Sequence, residues 1–379
     1  MRLLFLTEFY PGDGETFTGG VEARAWHVTR ALAKDHTVTV VTSRRRGEPR
    51  ETVRGRLRVL RVGPSYPYSN NGYVLHRLLW AMRAFLAGRR IDADVVEGTS
   101  FLTYVPAALI GRARGIPRVA TYHETWLGSW VKRKGRWTGT LGEVWERLAL
   151  RLGWTRIISV SAFTKRALIA AGVAPDRIDV VPNGIDLSRF EFEAEQPGSP
   201  TIACVSRLID SKRVDLLIRA LPHVAERVPA VRVELVGTGS ELESLRELAT
   251  ATGVGDRVSF LGRVASNDEV LRTVKRASVF ALPSESEGFG IVVLEAMAAG
   301  VPVVCTDIEP LRELTGGRGA LLFSPGDRDG LAEMLVSLLT DARLRDEKAR
   351  EASDRARDFA WPALVAQLES VYGELASAG

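Results

Sequence analysis

The feature that most constrains this chain is a rhythm: short apolar runs alternate with amphipathic segments along almost its whole length. Residues 3–7, 37–42, 94–97, 118–121, 156–160 and 179–181 read as strands buried on both faces, the setting of a parallel sheet. Helical patterns separate several of them, as at Val21, Ala25, Val28 and Leu32. A second series follows at 202–205, 231–236, 258–261, 279–282, 301–304 and 320–323. Two alternating series in succession predict an α/β chain of two doubly wound parallel-sheet domains. At 379 residues the chain is too long for one typical core and suits two. The expected boundaries are a first domain at 1–182, a linker at 183–200 rich in Glu, Pro and Gly, a second domain at 201–360, and a last helix at 361–379.

Lys and Arg number 51 against 46 Asp and Glu, a net charge of +5 that favours an anionic partner such as a nucleotide diphosphate or an anionic lipid. No recognised nucleic-acid module accompanies the charge, so nucleic acid is not expected. No run approaches the ~18 apolar residues of a membrane span. The opening Met1-Arg2-Leu3-Leu4-Phe5-Leu6 is too short for a signal sequence and reads as a strand. Cys204 and Cys305 lie in strand-like runs and read as buried thiols, with no disulfide or metal site implied. A cytoplasmic setting is the expectation.

Chemistry concentrates in Ser284-Glu285-Ser286-Glu287-Gly288-Phe289-Gly290-Ile291-Val292-Val293-Leu294-Glu295. The Gly-rich piece reads as the start of a helix that Gly300-Val301-Pro302 ends. Backbone amides at a helix start attract phosphate. Glu287 then lies in the loop before the helix, and Glu295 projects from it about two turns later at ~3.6 residues per turn. A phosphate between two carboxylates suggests a ligand with hydroxyls on both sides of it, as in a nucleotide sugar.

The Glu287 to Glu295 spacing resembles the Glu-x7-Glu signature of the retaining glycosyltransferases of family 4, and the resemblance extends from Gly19-Gly20 to the C-terminus. It implies the GT-B fold: two Rossmann-like domains facing a central cleft, with a nucleotide-diphosphate sugar (UDP- or GDP-linked) held mainly by the second. Arg207-Leu208-Ile209-Asp210-Ser211-Lys212 follows the first strand of that domain, where two cations can meet a diphosphate. By resemblance Arg207 and Lys212 neutralise the leaving group together with the amides of Gly288, Phe289, Gly290 and Ile291. Glu287 would hold sugar hydroxyls, Glu295 the ribose, and the backbone at Val264 the base. Gly237-Thr238-Gly239 is either a tight strand-to-helix turn or a loop near the nucleotide. In the first domain the family places Gly19 and Gly20 against the donor phosphate and the acceptor, and His123 beside the transferred sugar. The long loop that precedes them, residues 10–18, supports a ligand-facing role. Glu97 departs from the His often found at its position. The implied enzyme is a hexosyltransferase that uses no cofactor or metal and acts on a saccharide or lipid-linked hydroxyl.

Asp92-Ala93-Asp94 looks like a metal motif, but it precedes its strand, at the edge opposite the site, and reads as a turn. The segment 126–137 interleaves Trp126, Trp130 and Trp137 with Lys132, Arg133, Lys134 and Arg136. Continued by an amphipathic helix with Val144, Trp145, Leu148 and Leu152, it reads as a peripheral anchor on an anionic membrane, on the inner face of the cell membrane, or else as a partly buried acceptor loop. A sugar-nucleotide epimerase on the same fold is the alternative function. A dinucleotide-dependent oxidoreductase is disfavoured because Leu242 replaces the third glycine of its fingerprint.

Overall fold

The computed structural model describes every residue except 13–18, 67–72, 196, 265 and 378–379, and the side chains of Arg133 and Lys134. The chain divides into two compact units, Met1–Gly184 with Trp361–Gly379, and Ile185–Ala360.

The first unit is built on one eight-stranded sheet. Its strands are β1 (Arg2–Leu6), β2 (Thr37–Arg44), β3 (Glu51–Arg54), β4 (Leu57–Ser65), β5 (Val95–Gly98), β6 (Arg118–Tyr122), β7 (Arg156–Ser159) and β8 (Ile178–Val180). Their order is β3-β4-β2-β1-β5-β6-β7-β8, and all pairs are parallel except β3–β4. Side chains alternate across the sheet. Leu3 and Phe5 of β1 therefore join one core with α1 (Gly20–Leu32), while Leu4 and Leu6 join the core on the other face. That second core is covered by α2 (Val74–Gly88) and α3 (Phe101–Arg114). After α4 (Trp130–Lys134), it also receives Ala149 of α5 (Arg136–Leu150) and Leu168 of α6 (Ala162–Ala170).

The C-terminal helix Trp361–Ser377 closes the β1–α1 face. It buries Trp361, Leu364, Val365, Leu368 and Tyr372 against Leu3, Phe5 and Val28. The Tyr372 hydroxyl donates to Glu97 Oε2, and Thr121 Oγ1 donates to Glu97 Oε1 at 2.8 Å.

The second unit holds a six-stranded parallel sheet ordered β11-β10-β9-β12-β13-β14. These strands are β9 (Thr201–Val205), β10 (Arg232–Val236), β11 (Val258–Gly262), β12 (Val279–Leu282), β13 (Val303–Thr306) and β14 (Ala320–Phe323). Cys204 and Cys305 are free and buried in β9 and β13. The helices that bear on the site are α7 (Val214–Arg227), α8 (Leu242–Ala251), α9 (Asn267–Lys275) and α10 (Ile291–Ala298).

Two features depart from the sequence reading. The β3–β4 hairpin was not foreseen. Its strands carry Arg54, Arg58 and Arg61 and are half exposed, so no continuous apolar run marks them. Most of the span read as a linker also folds with the second unit. Ile185 donates its N–H to Phe359 O at 2.8 Å and bridges to Ala360, and Phe190 is buried. Polar composition marked the turns there, but the two apolar residues decide where the segment packs.

Removing the Tyr372 hydroxyl leaves a buried carboxyl short of a donor. Tyr372→Phe is expected to cost about 1–3 kcal/mol of stability, read as a lower urea midpoint with unchanged far-UV circular dichroism. An unaltered midpoint would mean that the helix is held by its apolar contacts alone.

Candidate functional site

The strand order of the second sheet reverses between β9 and β12. Connections leave in opposite directions at such a point, and a crevice opens at the carboxyl ends of the strands. Arg207 follows β9 directly, and Lys212 ends the short helical turn Asp210–Lys212. Glu287 sits in the loop after β12. Lys212 Nζ donates to Glu287 Oε1 at 2.6 Å, with both side chains largely shielded from solvent. Beside this pair the N–H of Glu285 donates to Ser211 O at 3.0 Å. The Arg213 guanidinium pairs with both Glu285 and Asp215, the latter at 3.0 Å. Arg213 holds a φ of 46°, a left-handed conformation uncommon for a residue with a side chain, and its two carboxylate partners offset that strain. Arg207 is exposed, and its guanidinium has no partner among the described residues.

The loop after β12 ends at Gly290, whose φ of 95° suits glycine and directs the chain into α10. Phe289 is buried and packs edge-on against Phe359 with ring centroids 5.8 Å apart. Its side chain is therefore structural, and only its backbone is available to a ligand. The N–H groups of Phe289, Gly290, Ile291 and Val292 have no acceptor among the described residues. They form the positive end of α10. Glu295 lies one turn into α10, half-buried, and its carboxyl has no partner among the described residues. Burial pushes that carboxyl up to about 7, with the Arg189 guanidinium acting in the opposite direction. Arg189 itself pairs with Asp268 at 2.7 Å; its place in a segment read as linker hid it.

The turn Gly237-Thr238-Gly239 after β10 lies against the loop that carries Arg207. A Cβ at Gly237 would stand 1.8 Å from Ser206 O, so close backbone approach accounts for that glycine without any ligand. Val264 is half-exposed after β11, at the same carboxyl edge of the sheet.

The first sheet reverses between β1 and β5. Gly19 precedes α1 in an extended conformation and accepts the N–H of Ala23 at 3.1 Å, and Gly20 begins the helix. Most of the preceding loop, residues 13–18, falls outside the described residues. His123 follows β6. Its Nε2 is buried and has no hydrogen-bond partner among the described residues. Burial and the nearby Arg24 guanidinium pull the imidazole down to about 3, so it is neutral at ordinary pH. His123, Arg24, Glu97 and Thr121 line one small cavity. Burial drives Glu97 above the usual carboxylate range, against its two hydrogen-bond donors. Arg24 Nη1 donates to Pro182 O at 2.5 Å and to Asn183 Oδ1 at 3.3 Å. Arg24 went unnoticed in the sequence although it falls on the apolar stripe of α1, where a charge signals a buried partner.

Asp92 and Asp94 are both spent on cations: Arg2 pairs with each, and Arg114 bonds Asp92 at 2.9 Å. No group of three or more metal-ligating side chains occurs among the described residues. Trp126 and Trp130 do not stand at the surface as an anchor would. Glu146 is fully buried, accepts the N–H of Trp126 at 3.1 Å and takes Nε1 of Trp130 at 2.5 Å. Both rings pack on Phe101. Trp137, by contrast, is 88% exposed.

Two doubly wound parallel sheets define the α/β class called GT-B. The solved sucrose-phosphate synthase from Thermosynechococcus elongatus has this fold, superposing at a TM-score of 0.84 over 100% of both chains with 20% identity. Residues 18–189 match the family described as Glycosyltransferase Family 4, and residues 188–359 match Glycosyl transferases group 1. The chain belongs to family 4 and is a glycosyltransferase. It is 28% identical over 402 residues to a glycogen synthase of Mycobacterium tuberculosis, covering 98% of this chain and 94% of the relative. It is also 33% identical over 231 residues to a GDP-mannose-dependent alpha-(1-6)-phosphatidylinositol monomannoside mannosyltransferase of the same organism. That match spans 55% of this chain and 59% of the relative.

Glu295 holds its proton more tightly in the folded chain than in the unfolded one. Its ionisation therefore opposes folding progressively as pH rises from the ordinary carboxylate range to about 7, and fully above it. Glu295→Gln is expected to leave the urea midpoint unchanged near pH 4 and to raise stability by about 1–2 kcal/mol at pH 8. Equal midpoints at pH 8 would place the carboxylate in free contact with water.

Proposed function

We propose that the chain transfers a hexose from a UDP- or GDP-linked sugar to a hydroxyl of a saccharide or lipid-linked acceptor, with retention and without a metal. The observation that carries this reading is the Lys212–Glu287 pair beside the uncapped amides of α10. An anion-binding end, two cations and a carboxylate converge on one switch point. In this reading Arg207, Lys212 and the amides of Gly288, Phe289, Gly290 and Ile291 stabilise the diphosphate as it departs. Glu287 accepts hydrogen bonds from the sugar, Glu295 from the ribose, and the backbone at Val264 meets the base. Gly19, Gly20 and His123 serve the transferred sugar and the acceptor. A neutral His123 suits a hydrogen-bonding role rather than that of a proton donor. The acceptor hydroxyl bonds to the anomeric carbon as the bond to phosphate breaks, and a phosphate oxygen takes the proton. The mannosyltransferase relative is named for a GDP-mannose donor and a phosphatidylinositol monomannoside acceptor, which supports both halves of the reaction.

Transfer assays over a panel of nucleotide sugars, with saccharide and lipid acceptors, test the assignment. Arg207→Ala and Lys212→Ala should each lower turnover about a hundredfold, the usual loss for one contact to developing charge, ~3 kcal/mol. Near wild-type transfer by a folded double variant would refute the site. The same assay in EDTA should run at an unchanged rate, whereas loss reversed by Mg²⁺ or Mn²⁺ would show that a metal is required.

The membrane reading narrows to its second part, the helix of Trp145, which is α5. Trp137, Leu141, Val144, Trp145 and Leu148 form an exposed apolar ridge on that helix, with Lys132 and Arg136 exposed nearby. Such a ridge flanked by cations suits the surface of an anionic bilayer. No described helix is long and apolar enough to cross a membrane. Co-sedimentation with vesicles of phosphatidylglycerol and phosphatidylcholine should be strong at low salt, weak at high salt, and lost in Trp137→Ser/Leu141→Ser/Leu148→Ser. Equal sedimentation of the variant, or none by the wild type, would leave α5 as a soluble surface.

A further inference from the structure

A groove of about 980 Å³ lies between α5 and α6 in the first unit, among residues given no part in the candidate site. Its wall is apolar: Leu150, Trp154, Ile157, Ala167, Ala170 and Val173. Trp154 Nε1 donates to Ala149 O at 2.8 Å, so its polar end is satisfied internally and the ring serves the wall. Arg147, Arg151 and Arg177 line the same groove, and no acidic residue does. Arg147 shares its charge with Glu143 at 2.8 Å. The guanidinium groups of Arg151 and Arg177 have no partner among the described residues.

Three arginines in one concavity repel one another and call for an anion. A small hydrophilic anion would leave the apolar wall against water. A purely apolar ligand would strip water from the guanidinium groups without replacing it. Both demands are met by one molecule with a phosphate at one end and a hydrocarbon chain at the other. The volume is in the usual range for a bound small molecule, ~300–1,000 Å³. Val144 and Leu148 continue the apolar surface along α5 beyond the groove.

We propose that this groove binds a single anionic phospholipid, its phosphate held by Arg147, Arg151 and Arg177 and its chain laid along Leu150, Trp154, Ile157 and Ala170. The site is separate from the nucleotide-sugar reading and does not depend on it. It also differs from docking through the α5 ridge, since one dispersed lipid molecule suffices to fill it.

The test is titration calorimetry of the full chain with dioctanoyl phosphatidylglycerol below its micellar concentration, where no bilayer exists for the ridge to meet. Saturable one-to-one binding is expected. Two variants separate charge from shape: Arg151→Ser/Arg177→Ser removes the exposed cations, and Ala170→Trp fills the groove with every charge intact. Each should weaken binding about tenfold or more. Glycerol phosphate and dioctanoyl phosphatidylcholine should bind at least about tenfold more weakly than the anionic lipid. Absence of binding, equal affinity in both variants, or equal affinity for glycerol phosphate would overturn the proposal. So would a lipid-free dimer, seen by sedimentation, that Ala170→Trp dissociates, because the occupant would then be a second copy of the chain.

Discussion

The 2.6 Å contact between Lys212 and Glu287 governs the geometry of the candidate site. Each partner stands on a loop that the sheet by itself leaves free. Side chains this shielded tolerate loss of their partner poorly, because a lone charge would remain away from water. The pair therefore fixes the β9 loop against the β12 loop, and the Glu285–Ser211 backbone bond and the Arg213 contacts repeat the connection one step away. The start of α10 follows directly from the second loop. Its amides thus acquire a set position relative to both cationic side chains before any ligand arrives.

Much of this was legible because parallel strands and glycine turns leave strong local marks. Every strand of the second sheet falls within two residues of its reading, since buried runs of Val, Ile and Leu admit few other interpretations. The helix after Gly290 was equally plain. What sequence could not show is which side chains meet across long separations. Glu146 lies 16 residues beyond Trp130, and only the folding of α5 onto α4 brings its carboxyl to that indole. A surface anchor and a buried aromatic cluster have the same local composition there. Glu97 and Tyr372 are 275 residues apart, and their bond depends on the last helix returning to the first sheet. The β3–β4 hairpin was missed for a different reason: an edge pair facing water on one side carries the charges that a search for apolar runs rejects.

The first unit buries more ionisable groups than its core needs. Arg24, Glu97 and His123 share one small cavity, and Tyr372 reaches Glu97 from the C-terminal helix. Burial moves each titrating member of this group towards its neutral form, Glu97 upward and His123 downward. Glu97 is nonetheless fully engaged, by Thr121 and Tyr372, whereas His123 Nε2 is left unbonded. An unsatisfied nitrogen in an otherwise completed network sets His123 apart from its neighbours in this cavity.

The return of the C-terminal helix also orders events during synthesis. The second unit is one continuous stretch of chain, but the first is completed only by its last segment. Until Trp361 and the residues after it leave the ribosome, Leu3, Phe5 and Val28 have no cover on that face of the sheet. The usual sequence of domain formation, amino-terminal part first, is thereby reversed. The middle of the chain can finish its core while the beginning waits for this helix, and a nascent chain stalled before Trp361 emerges would present an open hydrophobic sheet to chaperones.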